Sequence, residues 1–362
     1  MSIKHGTVTL LTPRCGSRQM NAESPTLPDR ADLSTDLRDR LKDWVTPMEW
    51  PLIAPTIDAI QRLKREKNAV LLAHNYMKPE IFHAVADITG DSLALARRGA
   101  ETQADVIVMA GVHFMAETAK ILSPDKTVLM PDLAAGCSLA ESITAADVRA
   151  LKAKHPGLPV VAYVNTSAEV KAEVDICCTS GNAVAVVEAA ARDWGVGSVI
   201  MVPDKYLAEN VATQTTVKII AYDGACEVHE LYTPDDVASI RDSYDGDVTV
   251  IAHPECPKPV VDAADFAGST AQMADFVRDR KPRRVLLVTE CSMGDNLMAA
   301  HPDTEFVRAC NLCPHMKRIT LDNIRAALET LSPAVTVDPE IAAKARVSVD
   351  RMLAVGRNQA IA

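Results

Sequence analysis

Apolar positions along this chain follow two periods that take turns. After Pro55, "TIDAIQRLKREKN" places Ile57, Ile60 and Leu63 at helical spacing, and "AVLLAHNY" follows as a short apolar run that ends in polar residues. Comparable runs stand at "DVIVMAG", "VLMPD", "PVVAYVN", "VDICCTS", "SVIMVPD", "VKIIAYDG", "VTVIAHPE", "RRVLLVTE" and "TEFVRA", with helical patterns between most of them. Helices alternating with short continuous apolar strands are the pattern of parallel sheets covered on both faces. Residues 1–50 lack this order and carry Pro13, Pro25, Pro28 and Pro47. They read as a loose N-terminal lead-in, with a short helix predicted near Asp36 to Val45.

The polar ends of the runs recur at a long, nearly constant interval. "LAHNY", "VAYVN" and "IAHPE" place His74, Tyr163 and His253 at separations of 89 and 90. "GDS", "TSG" and "GST" place Ser92, Ser180 and Ser269 at 88 and 89, and "MAET", "LAEN" and "MGDN" place Glu117, Glu209 and Asp295 at 92 and 86. Such units are too large for a solenoid repeat. They predict an α/β protein of three similar three-layer αβα domains with short parallel sheets, set around a pseudo-threefold axis with the active site at the centre. The expected units are 51–137, 138–226 and 227–317, with helices in 318–362 returning to the first. Ligands of open α/β sheets sit beyond the carboxyl ends of the strands, where these polar residues fall.

The cysteines keep the same interval. Cys137 in "AAGCSLAE" and Cys226 in "DGACEVHE" are 89 apart, and a further 87 reaches Cys313 in "NLCPHMK". Each opens an expected helix, whose N-terminus favours anions. One thiolate from each unit suits a [4Fe-4S] cluster, one per chain, with one iron lacking a protein ligand and free to act as a Lewis acid. A zinc site of the three cysteines with His229 or His315 is the alternative. Cys177, Cys178 and Cys291 lie in apolar runs and read as packing residues. Cys310, three residues before Cys313, is expected to pair with it in a disulfide when a metal centre is lost.

Composition narrows the function classes. Of 362 residues 48% are hydrophobic but only 4% aromatic, so Ala, Val, Leu and Ile do the packing, as in helix-covered sheets. A net charge of −10 argues against nucleic acid as a partner. The absence of an apolar run of membrane-spanning length argues against a membrane role. Nine cysteines without a secretory signal read as reduced thiols or metal ligands in a cytoplasmic protein.

The ordered series "AHNY", "GDS", "VHFMAETAKIL", "PDLAAGCSLAE", "YVNTSAEVKA", "DICCTSGNAV", "PDKYLAEN", "GACEVHE", "AHPEC", "GST" and "NLCPHMKRITL" resembles quinolinate synthase, from about Pro55 to Leu328. The resemblance implies a condensing enzyme of de novo NAD biosynthesis, classed as a transferase. It would join iminosuccinate to dihydroxyacetone phosphate and release quinolinate, phosphate and water without a redox step, with a [4Fe-4S] cluster as Lewis acid. It implies an L-aspartate oxidase as supplier of iminosuccinate and an iron–sulfur assembly machinery as supplier of the cluster. By position, the family's cluster ligands fall on Cys137, Cys226 and Cys313. Its substrate-binding residues fall on His74, Ser92, Tyr163, Asn165, Ser180, His253, Glu255 and Thr270, and its acid–base residues on Glu255, Tyr76 and His253, with Glu255 as the leading base. The chain departs from the family in Met77, where glutamine is common, and in having two cysteines where some members have C-x2-C-x2-C.

Plainer readings stand beside these. Serines and threonines at strand ends commonly cap the next helix, which would account for Ser92, Ser180 and Thr270. The symmetry of Glu117, Glu209 and Asp295 suggests helix or interdomain structure. A nucleotide-dependent oxidoreductase would fit repeated α/β units, but no G-x-G-x-x-G follows any apolar run. A zinc-stabilised binding protein without catalysis is the other rival.

Overall fold

The computed structural model describes residues 37–358. Among these residues twelve strands form three sheets of four, every pairing parallel. The first holds β1 (Ala69–His74), β2 (Ile88–Gly90), β3 (Val106–Ala110) and β4 (Thr127–Leu129); the second β5 (Val160–Tyr163), β6 (Ile176–Cys178), β7 (Ser198–Val202) and β8 (Lys218–Ala221); the third β9 (Thr249–Ala252), β10 (Phe266–Ala267), β11 (Arg284–Val288) and β12 (Glu305–Val307). The spatial orders β2-β1-β3-β4, β6-β5-β7-β8 and β10-β9-β11-β12 are one topology used three times. Ten of the strands coincide with the apolar runs. The other two, β2 and β10, are edge strands of three and two residues that no run announced.

Burial follows the pattern that predicted it. β3 is buried throughout and β1 along all but its first residue, as strands covered on both faces require. The helix Trp50–Glu66 turns Ile57, Ile60 and Leu63 into the core. The lead-in before residue 37 lies outside the described residues; residues 37–41 are helical and bury Leu37 and Leu41. At the other end, Leu321–Thr330 packs on Trp50–Glu66. The last helix, Pro339–Asn358, instead lies chiefly along Ala168–Glu173 and β6 of the second unit. Ala345 and Val349 are fully buried there, and the Ser348 hydroxyl donates to the Lys171 carbonyl at 2.8 Å. The tail is therefore shared between two units.

The units hold one another in a ring. Glu117 of the first accepts a hydrogen bond from the Ala168 N–H of the second (3.0 Å). Asn210 of the second donates to the carbonyls of Pro254 (2.8 Å) and Cys256 (3.0 Å) in the third. Asn296 of the third donates to those of Asn75 (2.9 Å) and Met77 (2.8 Å) in the first. The repeat had pointed to Glu117, Glu209 and Asp295. Glu117 makes the contact itself, whereas in the other units the next residue does, and Asp295 pairs with Arg308 instead.

Candidate active site where the three units meet

All twelve residues expected at the site line one cavity, although they are spread between positions 74 and 313. The topology explains why. β1 ends on His74, β5 on Tyr163, and β9 on Ala252 with His253 next, so the same strand of each sheet delivers its carboxyl end to the centre. Ser92 and Ser180 follow the ends of β2 and β6 by two residues, and Thr270 follows β10 by three.

The hydroxyls are not spent on capping. Asp91 caps the helix Ser92–Glu101 by accepting from the Ala94 N–H (2.8 Å). Ser269, the residue that the spacing picked out, caps Thr270–Arg280 in a box with Gln272. Asn182 precedes Ala183–Trp194 but makes no cap, its side chain accepting from the Thr179 N–H at 2.7 Å. The capping expectation thus fails for Ser92, Ser180 and Thr270, because a neighbour takes that task where one is needed. Thr270 instead accepts from Asn75 Nδ2 (2.9 Å), and Ser180 Oγ lies 3.3 Å from His253 Nε2.

A chain of hydrogen-bonding groups crosses the pocket. Tyr76 Oη is 2.6 Å from Thr289 Oγ1, and Thr289 Oγ1 is 2.9 Å from His229 Nε2. His229 Nδ1 lies 3.0 Å from Glu255 Oε2, and Glu255 accepts from the Tyr163 hydroxyl on its other oxygen. All three units contribute. Burial alone would raise the Glu255 carboxyl, but His229 and His253 beside it hold it down at about 2, so it is a carboxylate at any ordinary pH. Burial drives the imidazole of His74 down to about 4 and that of His253 to about 3, so both rings are neutral. Burial, with the Glu255 charge, raises Tyr76 and Tyr163 well above the usual phenol range. Among the described residues, no Lys or Arg lines the cavity.

The three cysteines share a local design that differs from the one expected. None opens a long helix. Cys137 precedes only the one-turn helix Ser138–Glu141, Cys226 and Cys313 begin turns, and the longer helices start eight residues after each cysteine, behind Thr144, Thr233 and Thr320, which close capping boxes with Asp147, Asp236 and Asn323. Burial raises all three thiols, Cys137 to about 12. The backbone N–H groups two and three residues on oppose that shift: Leu139 and Ala140, Val228 and His229, His315 and Met316. The turns thus supply the anion-favouring donors that helix ends were expected to supply.

This donor set fits a cluster better than a single zinc ion. Two thiolates on one zinc, each at about 2.3 Å, can be no more than about 4.6 Å apart. Among the described residues, the set of three potential ligands whose donor atoms all lie within 4.8 Å of one another is Cys226, His229 and Glu255, leaving out Cys137 and Cys313. His229 is already engaged through both ring nitrogens, and His315 Nε2 stands 3.0 Å from Glu227. A polynuclear centre matches three separated thiols without drawing on either histidine.

The remaining cysteines are placed in part as expected. Cys177 and Cys178 are fully buried, and Cys256 is buried outside the lining of the pocket. Cys291 is not a packing residue: it forms a disulfide with Cys310, so the expected Cys310–Cys313 pairing is not the one observed and Cys313 is free. Cys291 begins the helix after β11 and its N–H donates to the Asn311 carbonyl (3.2 Å), which brings Cys310 alongside. Met77 is fully buried and does not line the pocket. Sequence reasoning missed Thr289 and gave His229 a role only as a possible zinc ligand. The positions just past β3 and β7 are Gly111 and Pro203, so the repeat carried no signal for Thr289.

Fold and site together define a triple-unit α/β protein with a three-thiol centre at its pseudo-threefold junction. Residues 58–354 match the quinolinate synthetase A protein family. Quinolinate synthase 2 of Mesorhizobium japonicum is 64% identical over 319 residues, covering 88% of this chain and 97% of the relative. Quinolinate synthase of Agrobacterium fabrum is 62% identical over 320 residues, covering 88% and 91%. The chain belongs to the quinolinate synthetase A protein family.

Proposed function

We propose that the protein is a quinolinate synthase of NAD biosynthesis, condensing iminosuccinate with dihydroxyacetone phosphate to quinolinate, phosphate and two waters. The observation that carries this reading is one cavity in which three thiols, one per unit, meet neutral hydroxyl, amide and imidazole groups. Both substrates are anions, and the neutral donors bind them by hydrogen bonds without leaving buried cations unpaired when the pocket empties. Ser92, Ser180 and Thr270 offer hydroxyls to carboxylate or phosphate oxygens. The buried Asn165 Oδ1 has no partner, which suits it to accept from a substrate N–H or O–H. An L-aspartate oxidase supplying iminosuccinate and an assembly machinery supplying the cluster belong to the same reading.

Cys137, Cys226 and Cys313 would hold a [4Fe-4S] cluster, which when bound supplies a Lewis-acidic iron. The proton transfers fall to the chain itself. Tyr76, whose proton is held tightly, is the acid facing substrate, and Thr289 connects it to His229. Glu255, held as a carboxylate by the histidines beside it, is the base this reading favours, and it orients the His229 ring 3.0 Å away. His253 stays neutral and holds Ser180.

The test is to give anaerobically purified, iron-loaded protein both substrates and measure product. Quinolinate and phosphate formed in equal amounts support the reading. An iron-loaded protein that forms neither would overturn it.

A further inference from the structure

The structure ties the three cysteine loops to one another, apart from the proton path. Glu227, the residue after Cys226, donates its backbone N–H to the Ser138 hydroxyl at 3.3 Å, joining the second cysteine loop to the first beside Cys137. Its carboxylate lies 3.0 Å from His315 Nε2, joining the second cysteine loop to the third two residues past Cys313. His315 also passes beside Gly136, the residue before Cys137: a Cβ added to that glycine would stand in ordinary contact with His315 Nδ1, at 3.6 Å, but only 2.4 Å from Glu141 Oε1. The second cysteine loop is thus bonded to both of the others, each time within two residues of a cysteine.

We propose that Glu227, His315 and Ser138 form an interdomain clasp that holds the three cysteine loops in register, with Glu227 as its hub, and so governs how readily the metal centre is loaded and lost. The proposal rests on the cluster reading for its role but not for its geometry. Ligands from three separate units bind a shared centre only as strongly as their effective concentration at it permits, and that concentration depends on how firmly the loops are held together. Glu227 and His315 are partly exposed, with 46% and 23% of their side chains open to solvent, so the contact can break without unfolding any unit.

Two measurements on the full-length protein test it. In the first, the iron-loaded protein is challenged with a ferrous chelator and the fading of its visible absorbance is timed. Glu227→Ala and His315→Ala should each lose iron about threefold or more faster than the parent, given the modest strength of a partly exposed polar contact. The double variant should be no faster than the quicker single variant, and Glu227→Gln, which keeps an acceptor for His315, should stay within about twofold of the parent. Unchanged loss in both alanine variants, or effects that multiply in the double, would overturn the clasp. In the second, hydrogen exchange is followed in the metal-free protein. Glu227→Ala should loosen segments 134–142 and 311–318 together, and unchanged exchange in both contradicts the proposal. If the parent takes up no iron yet these segments loosen together, the clasp stands and the cluster reading falls.

Discussion

Tyr76, just past the end of β1 in the first unit, and Thr289, just past the end of β11 in the third, meet through their hydroxyls at 2.6 Å. They are 213 residues apart in sequence, and their contact connects a substrate-facing phenol to the His229–Glu255 pair. If that connection carries protons, Tyr76→Phe should lower turnover by ~10² to 10⁴-fold with iron content unchanged, the usual contribution of a general acid. Thr289→Val keeps the shape and removes the link, and should cost about tenfold or more, whereas Thr289→Ser should restore most of the rate. Steady-state rates with iron analysis decide the matter. Full activity in Thr289→Val would show that the phenol works without the relay.

The ring of clamps predicts a stability effect far from the chemistry. Asn296 is buried and serves two carbonyls of another unit, so Asn296→Ala leaves both without that donor. The expected loss is ~1–3 kcal/mol in denaturant unfolding, the cost of stranding buried polar groups. A change below about 0.5 kcal/mol would mean that the first and third units are held by other contacts.

Acid should destabilise the metal-free protein in two stages. His74 and His253 have folded values near 4 and 3 against an ordinary 6.5, so they bind protons more readily when unfolded. Their contribution is fully present above about pH 6.5 and is lost as the pH falls from there toward the folded values. Glu255, at about 2 against 4.5, adds stability present above pH 4.5 that is lost below it. Urea unfolding at pH 7.5, 6 and 5 should show a falling midpoint, and His74→Asn should flatten the fall. Equal slopes in parent and variant would remove His74 from the account.

Much of this arrangement was legible in the sequence because the repeat is physical. An interval near 90 carried the polar strand ends of all three sheets and the three cysteines to one centre, since identical topology delivers equivalent residues to equivalent places. What stayed hidden was set by single-residue offsets and by contacts across units. The site hydroxyl that follows β10 belongs to Thr270 because Ser269 is consumed as a cap, and the clamps shift from Glu209 and Asp295 to Asn210 and Asn296. A periodic argument is blind to such steps. Thr289 only ends the run "RRVLLVTE", and its meaning comes from Tyr76, in another unit, and from His229, 60 residues away.

Cys310 supplies a correction with its own consequence. Its partner is Cys291, so oxidation there leaves all three candidate ligands as thiols. Peptide mapping without reductant should recover Cys291 joined to Cys310, and Cys310→Ser should take up as much iron as the parent. Recovery of a Cys310–Cys313 peptide instead, with iron uptake that requires prior reduction by a dithiol, would reinstate the pairing that sequence proximity suggested.

The central claim is that three thiols from three repeats hold one iron–sulfur cluster, and it is tested most directly by counting iron and acid-labile sulfide per chain in protein purified without oxygen. The account predicts about four of each with a broad brown absorbance. Serine at Cys137, Cys226 or Cys313 should remove both together, whereas serine at Cys177 should leave them in place. Zinc at about one per chain without sulfide, or a Cys226→Ser protein with its iron and sulfide intact, would contradict it.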